Sequence, residues 1–133
     1  KAAQIRLLVC DVDGVLSNGF IYMGNNGEEL KTFCTRDGAG MRALLHAGIE
    51  IAIITGRSSR IVSDRMKSLG VKHLVQGADE KLPHFEALLA KLRVFDPATR
   101  LGHWLAQPPR QQQRTDREVF VMAYAHRLIF VAV

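Results

Sequence analysis

The sequence predicts an α/β fold: a mainly parallel sheet between helices, with a protruding β-hairpin. Three observations carry this. Short continuous apolar runs stand where strands buried on both faces would be. Stretches with helical spacing separate them at α/β intervals. Two β-prone segments also flank an Asn/Gly cluster.

The elements follow in order. Ile5–Cys10 is a mostly apolar run ending at Asp11-Val12-Asp13-Gly14 and reads as the first core strand. Phe20–Met23 and Glu29–Phe33 flank Gly24-Asn25-Asn26-Gly27 and read as the hairpin. Asp37-Gly38 opens a helical stretch, Ala39–Ala47, with Met41, Leu44 and Leu45 on one face; Asp37 is the expected N-cap and Gly48 the C′ residue. Ile49–Ile54 is the second core strand, running into Thr55-Gly56-Arg57-Ser58-Ser59. A helix with Ile61, Val62, Met66 and Leu69 inward follows, and Gly70 stops it. His73–Gln76 is a third, short strand, and Gly77–Lys81 leads into a helix through Phe85, Leu88, Leu89 and Leu92. Right-handed crossovers then put the strand C-terminal ends on one edge of the sheet, where a site is expected. From about Asp96 the pattern breaks: residues 96–118 read as irregular or disordered, and Arg100–Glu118 is rich in Gln, Arg and Pro. Leu128–Val133 again looks like a strand.

Composition bounds the function classes. The 133 residues allow one domain, and 47% apolar with 23% charged residues excludes a chain disordered throughout. The longest apolar runs are strand-sized, so no transmembrane helix and no membrane partner is expected. No signal peptide is visible, and the missing initiator Met suggests that a few residues precede Lys1. Cys10 and Cys34 form neither a zinc motif nor a disulfide framework, which points to a reducing, cytoplasmic compartment. Residues 1–90 hold 11 Lys/Arg against 10 Asp/Glu, and residues 91–133 hold 7 against 3, so +4 of the +5 net charge lies in the tail. A nucleic-acid partner for that basic tail is nevertheless not the expected reading.

Three segments carry chemistry, each after a predicted strand. Asp11 and Asp13 stand at i and i+2 beyond strand one, and the strand period of two lets both point to one side. Such a pair can divide nucleophile and metal-ligand work from proton handling, and Gly14 permits a sharp turn. An EF-hand is excluded, because Leu16 stands where that loop needs Gly and Tyr22 where it needs Glu. The plain alternative is an Asp-Gly turn. Thr55-Gly56-Arg57 offers a hydroxyl, backbone N–H groups and a helix N-terminus, an anion site; the alternative is a strand-to-helix turn capped by Thr55. Lys81 lies near the next helix start, where a cation is unfavourable unless an anion offsets it; the alternative is a solvated surface lysine. Taken together, the segments assemble a phosphate site beside an acidic nucleophile. The mutual repulsion of aspartate and phosphate calls for a divalent cation, which for these oxygens is Mg2+.

The run LVCDVDGVLSNGFIYMGNNGEELKTFCTRDGAGMRALLHAGIEIAIITGR, continuing to QGADEK, resembles the haloacid dehalogenase superfamily of phosphatases, with its Rossmann-like sheet. It is similar in particular to the capless branch, the 3-deoxy-D-manno-octulosonate 8-phosphate (KDO 8-phosphate) phosphatases of lipopolysaccharide synthesis. The resemblance covers about residues 5–92. It implies Mg2+-dependent hydrolysis of a small sugar-acid phosphomonoester. Asp11 would attack phosphorus to form an aspartyl-phosphate, and Asp13 would protonate the leaving oxygen and then activate water. Thr55, Gly56 and Lys81 would hold the phosphoryl oxygens, with Arg36, Asp37 and Arg57 as substrate-side or supporting residues. Mg2+ would be held by Asp11, the Asp13 carbonyl and an acid of a fourth motif. The hairpin would help build a homotetramer. Related sialic-acid phosphatases, or the phosphatase-like domain of sialic-acid cytidylyltransferases, are the same-class alternative.

The fourth motif departs from the pattern. A Gly-Asp-Asp-type strand end followed by a short Val-Met helix is expected between about residues 98 and 122. Aligned on Val121-Met122, the paired acids fall on Arg114 and Thr115, with Asp116 and Glu118 as the nearby carboxylates. The family's part beyond Val133 is also expected to be missing. Three readings compete: a damaged or frame-shifted, truncated relative; weakened Mg2+ binding through Asp116; or a scaffold that has lost catalysis. The first is preferred, because Arg100–Glu118 is compositionally foreign to the fold.

Overall fold

The computed structural model describes residues 5–93, 119–124 and 127–132. Their elements are β1 (Leu7–Cys10), β2 (Tyr22–Met23), β3 (Glu29–Leu30), α1 (Thr35–His46), β4 (Glu50–Ile54), α2 (Arg60–Leu69), β5 (His73–Val75), α3 (Lys81–Leu92), β6 (Val119–Tyr124) and β7 (Arg127–Ala132). Five strands form one sheet in the order β5-β4-β1-β7-β6, and β2 and β3 form the separate hairpin. β1, β4 and β5 run parallel, with Cys10 opposite Ile53 and Ile54 opposite Val75.

Both faces of β1 and β4 are covered, as the continuous apolar runs require. Alternate residues explain the layering. Leu7, Val9, Ala52 and Ile54 pack with Phe85, Leu88 and Leu89 of α3. Cys10, Ile51 and Ile53 pack on the other face with Met41 of α1 and Val62, Met66 and Leu69 of α2. Phe85 is fully buried, so its side chain alone contributes on the order of 3 kcal/mol of transfer free energy. Ile61 and Leu92, expected inward, are only half-buried at the rims of their helices. Gly70 ends α2 as a left-handed cap at φ +84°, a conformation a Cβ would disfavour, and Gly48 follows α1 at C′ as expected.

Several boundaries differ from the expectations. α1 starts at Thr35, with Cys34 as N-cap and no side-chain cap bond. Asp37 therefore lies inside the first turn, where an acid favours the helix through its dipole. The hairpin strands shorten to two residues each, as Gly24 N–H donates to the Glu28 carbonyl and closes the turn early. Residues 119–124 form β6, where a short helix was expected, because they pair antiparallel with β7 along six residues. β7 matches the expected last strand but runs antiparallel to β1. The irregular segment at 96–118, with Asp116 in it, lies outside the described residues.

Candidate active site

Parallel pairing brings three strand ends to one edge. β1 runs straight into Asp11, β4 into Thr55, and β5 into Gln76 and the loop to α3. Thr55 is stitched to that loop on both sides: its N–H donates to the Val75 carbonyl at 3.0 Å, and its carbonyl accepts from Ala78 N–H at 3.0 Å. This fixes the approach of α3 to the β1 tip. Lys81, the first residue of α3, reaches across so that Nζ donates to Asp11 Oδ2 at 2.6 Å. Asp11 is buried, and its Oδ1 accepts the Val12 N–H at 2.7 Å. The anion that compensates a cation at this helix start is thus supplied by the chain itself. Gly14 adopts φ +77° and turns the chain away after Asp13, with its N–H bonded to Ser17 Oγ.

Asp13 meets a lysine as well. Lys31, one residue beyond β3, donates from Nζ to Asp13 Oδ1 at 2.5 Å and lies 3.7 Å from Glu29 Oε1. Its side chain is fully buried. The sequence reading did not single out Lys31. The available signal was Glu29 and Lys31 two apart on a strand, hence on one face. Gln76 was also missed: its Oε1 accepts Ser59 N–H at 2.8 Å, and its Nε2 donates to Ser63 Oγ at 2.7 Å. This ties the start of α2 to the end of β5.

The remaining candidates are less tightly placed. Thr55 is buried at the β4 tip, but it does not cap α2, which starts at Arg60 with Ser59 as its N-cap. The helix N-terminus expected directly behind Thr55-Gly56-Arg57 therefore lies farther along the chain. Gly56 is exposed, and a Cβ there would come no nearer than 3.7 Å to a neighbour, the Ala78 carbonyl. Arg57 and Arg36 are exposed and make no hydrogen bond or ion pair among the described residues. Asp37 is exposed and lines a small cavity between α1 and α2, with Cys34, Met41 and Arg65, that includes none of Asp11, Asp13, Thr55 or Lys81. The Cys10 thiol is pushed up to about 11, chiefly by burial and then by the Asp11 and Asp37 charges, so it stays protonated beside the site.

The donor set fits Mg2+ in kind. Mg2+ is commonly held by one or two carboxylates, with water and phosphate oxygens completing the shell. Asp11 and Asp13, two residues apart where the chain leaves β1, supply such oxygens. Among the described residues no group of three metal-binding side chains assembles.

No family model matches the chain. Over 94 residues it is 60% identical to the KDO 8-phosphate phosphatase of Escherichia coli K12, which takes in 71% of this chain and 50% of that protein. The KDO 8-phosphate phosphatase of Moraxella catarrhalis, solved in complex with magnesium, phosphate and KDO, is 48% identical with a TM-score of 0.67, over 69% of this chain and 53% of that one. A Legionella pneumophila hydrolase ascribed to the haloacid dehalogenase superfamily is 42% identical with a TM-score of 0.69, over 71% and 52%. The chain spans about half the length of the curated relatives it matches. Over the stretch it shares with them, the chain is similar in sequence and in fold to KDO 8-phosphate phosphatases and to a hydrolase of the haloacid dehalogenase superfamily.

Proposed function

We propose that this chain carries the reacting end of a Mg2+-dependent phosphatase acting on a small acidic sugar phosphate, KDO 8-phosphate. The observation that supports it most is the buried Asp11 carboxylate held at 2.6 Å by Lys81 on the edge where three parallel strands end. An acid nucleophile and a cation in contact at that edge suit an incoming phosphoryl group.

In this reading an Asp11 oxygen attacks phosphorus, and the bond from phosphorus to the sugar oxygen breaks. Asp13 donates a proton to that leaving oxygen. Asp13, now a carboxylate, takes a proton from water as the water attacks the aspartyl-phosphate, which releases inorganic phosphate and restores Asp11. Lys81 and the Thr55 hydroxyl, with the backbone at Gly56, hold phosphoryl oxygens throughout, so the protein works mainly by positioning and charge stabilisation. Asp11, the Asp13 carbonyl and Asp116 would hold the Mg2+, which when bound neutralises charge between carboxylate and phosphate. Arg36, Asp37 and Arg57, all exposed, are the substrate-side candidates.

Two further features belong to the reading. The hairpin exposes Phe20, Tyr22, Met23 and Leu30, an apolar surface suited to a homotetramer. The two free cysteines suit a reducing, cytoplasmic compartment, and among the described residues no helix is long and apolar enough to cross a membrane.

The test is phosphate release from KDO 8-phosphate with Mg2+ present, for the wild type and Asp11→Asn. Turnover that vanishes in the variant supports the reading; turnover near the wild-type level removes Asp11 from the nucleophile role. Wild-type protein that binds Mg2+ by titration calorimetry yet releases no phosphate is an impaired relative, and one that binds none is the scaffold.

A further inference from the structure

We propose that Lys31 is the positioning residue for Asp13, reaching from the hairpin to hold one carboxylate oxygen so that the other is presented to the reacting group. The inference rests on the hydrolase reading for Asp13's role, but its geometry is independent of it.

Lysine is rarely buried without a partner. The Lys31 side chain is fully buried, and its ammonium contacts Asp13 Oδ1 at 2.5 Å. Glu29 Oε1 stands 3.7 Å away, and that atom is itself buried without a hydrogen bond, so a second carboxylate faces the same ammonium. A cation boxed between two acids has little freedom to leave either. Asp13 Oδ1 is therefore pinned, whereas Oδ2 accepts no hydrogen bond among the described residues. Asp11 differs, since both of its oxygens are engaged, by the Val12 N–H and by Lys81. One oxygen held and one open is the arrangement a proton-transfer carboxylate needs, because misplacement of the open oxygen degrades the transfer. Lys31 and Asp13 are 18 residues apart. The contact is thus also the tie between the hairpin and the loop after β1.

Two measurements on the full chain test this. In the first, kcat/KM is measured for KDO 8-phosphate and for 4-nitrophenyl phosphate, with wild type, Lys31→Met and Lys31→Arg. A nitrophenolate leaves without much help from an acid, whereas a sugar alkoxide needs a proton. Positioning predicts that Lys31→Met lowers the ratio of sugar to aryl kcat/KM by about tenfold or more, a part of the 10²–10⁴ that an acid supplies. Lys31→Arg should recover some of the ratio. An unchanged ratio, with both substrates falling equally or not at all, overturns the proposal.

The second measurement is a double-mutant cycle in urea with Lys31→Met and Asp13→Asn. Pairing predicts that the double variant's unfolding constant departs about tenfold from the product of the single effects. Additive effects overturn the proposal. If the wild type turns over neither substrate, the hydrolase reading fails by itself, and the cycle still decides whether Lys31 fixes Asp13.

Discussion

Replacing Lys81 by Met should destabilise the fold by about 3 kcal/mol, and the size follows from the geometry. Two unit charges 2.6 Å apart attract by about 6 kcal/mol at an effective dielectric of about 20. Desolvation of each ion costs several kcal/mol, so the intact pair is close to neutral for stability. Truncating one partner is different, because the other ion stays behind without its counter-charge. That costs roughly 3–5 kcal/mol in fully buried pairs. The Lys81 and Asp11 side chains are 13% and 10% exposed, and Asp11 keeps the Val12 N–H, so the low end applies. Removing a cation from the first turn of α3 returns about 0.5 kcal/mol, too little to change the sign. Asp11→Asn should be milder, at about 1 kcal/mol, since the lysine stem can carry its ammonium to water. The double variant should then sit near Asp11→Asn rather than at the sum. Urea titration at neutral pH reads all three, and a thermal melt should drop by roughly 12 °C for Lys81→Met. A Lys81→Met protein within about 0.5 kcal/mol of wild type at an unchanged m-value would show that Lys81 is not what neutralises Asp11.

Two other outcomes are expected. The Glu28 carboxyl is held below its usual range by its own backbone N–H and by the Asn26 amides, so its contribution to the turn is present above that range and fades as pH falls through the lowered value; the Asn26 amide resonance should titrate with a midpoint under the ordinary glutamate value, and a midpoint at or above it contradicts the hydrogen bonds. Met23→Asp, at a site 75% exposed on the hairpin, should shift sedimentation of an assembled wild type toward monomer without loss of helical signal, whereas a wild type that sediments as monomer at high concentration removes the tetramer reading.

What was legible in the sequence tracks how local its cause is. β1 and β4 were readable because a run of apolar residues has no other use than a strand covered on both sides. Gly70 was readable because a left-handed cap is a one-residue property. The start of α1 was not, since Cys34 caps it with extended backbone and no side-chain bond, which leaves no signature, while Asp37 offered a false one. β6 was hidden because its stability comes from pairing with β7, and through β7 with β1, more than a hundred residues upstream. The acids of the site and Lys81 were visible as spacing and placement, but Lys31 and the pairings were not: the Asp13–Lys31 and Asp11–Lys81 contacts span 18 and 70 residues and arise only once the hairpin and α3 are in place.

Those two contacts settle a question the spacing raised, namely how two carboxylates two residues apart tolerate each other at a partly buried strand tip. Each receives a lysine from a different element, so with both aspartates ionised, before Asp13 takes up the proton it later donates, the four side chains sum to no net charge. A phosphate dianion entering this edge would compete with Asp11 for Lys81 and leave the cluster two charges negative, and Glu29 beside Lys31 adds to that. At side chains as far buried as Asp11 and Lys81 such an excess is costly. Neutrality returns if a divalent cation arrives with the dianion, coordinated by the same carboxylate that gives up its lysine. The lysine pairing therefore makes phosphate binding depend on the cation through charge balance, before any step of the chemistry, and inorganic phosphate should bind far more weakly to the chain without Mg2+ than with it.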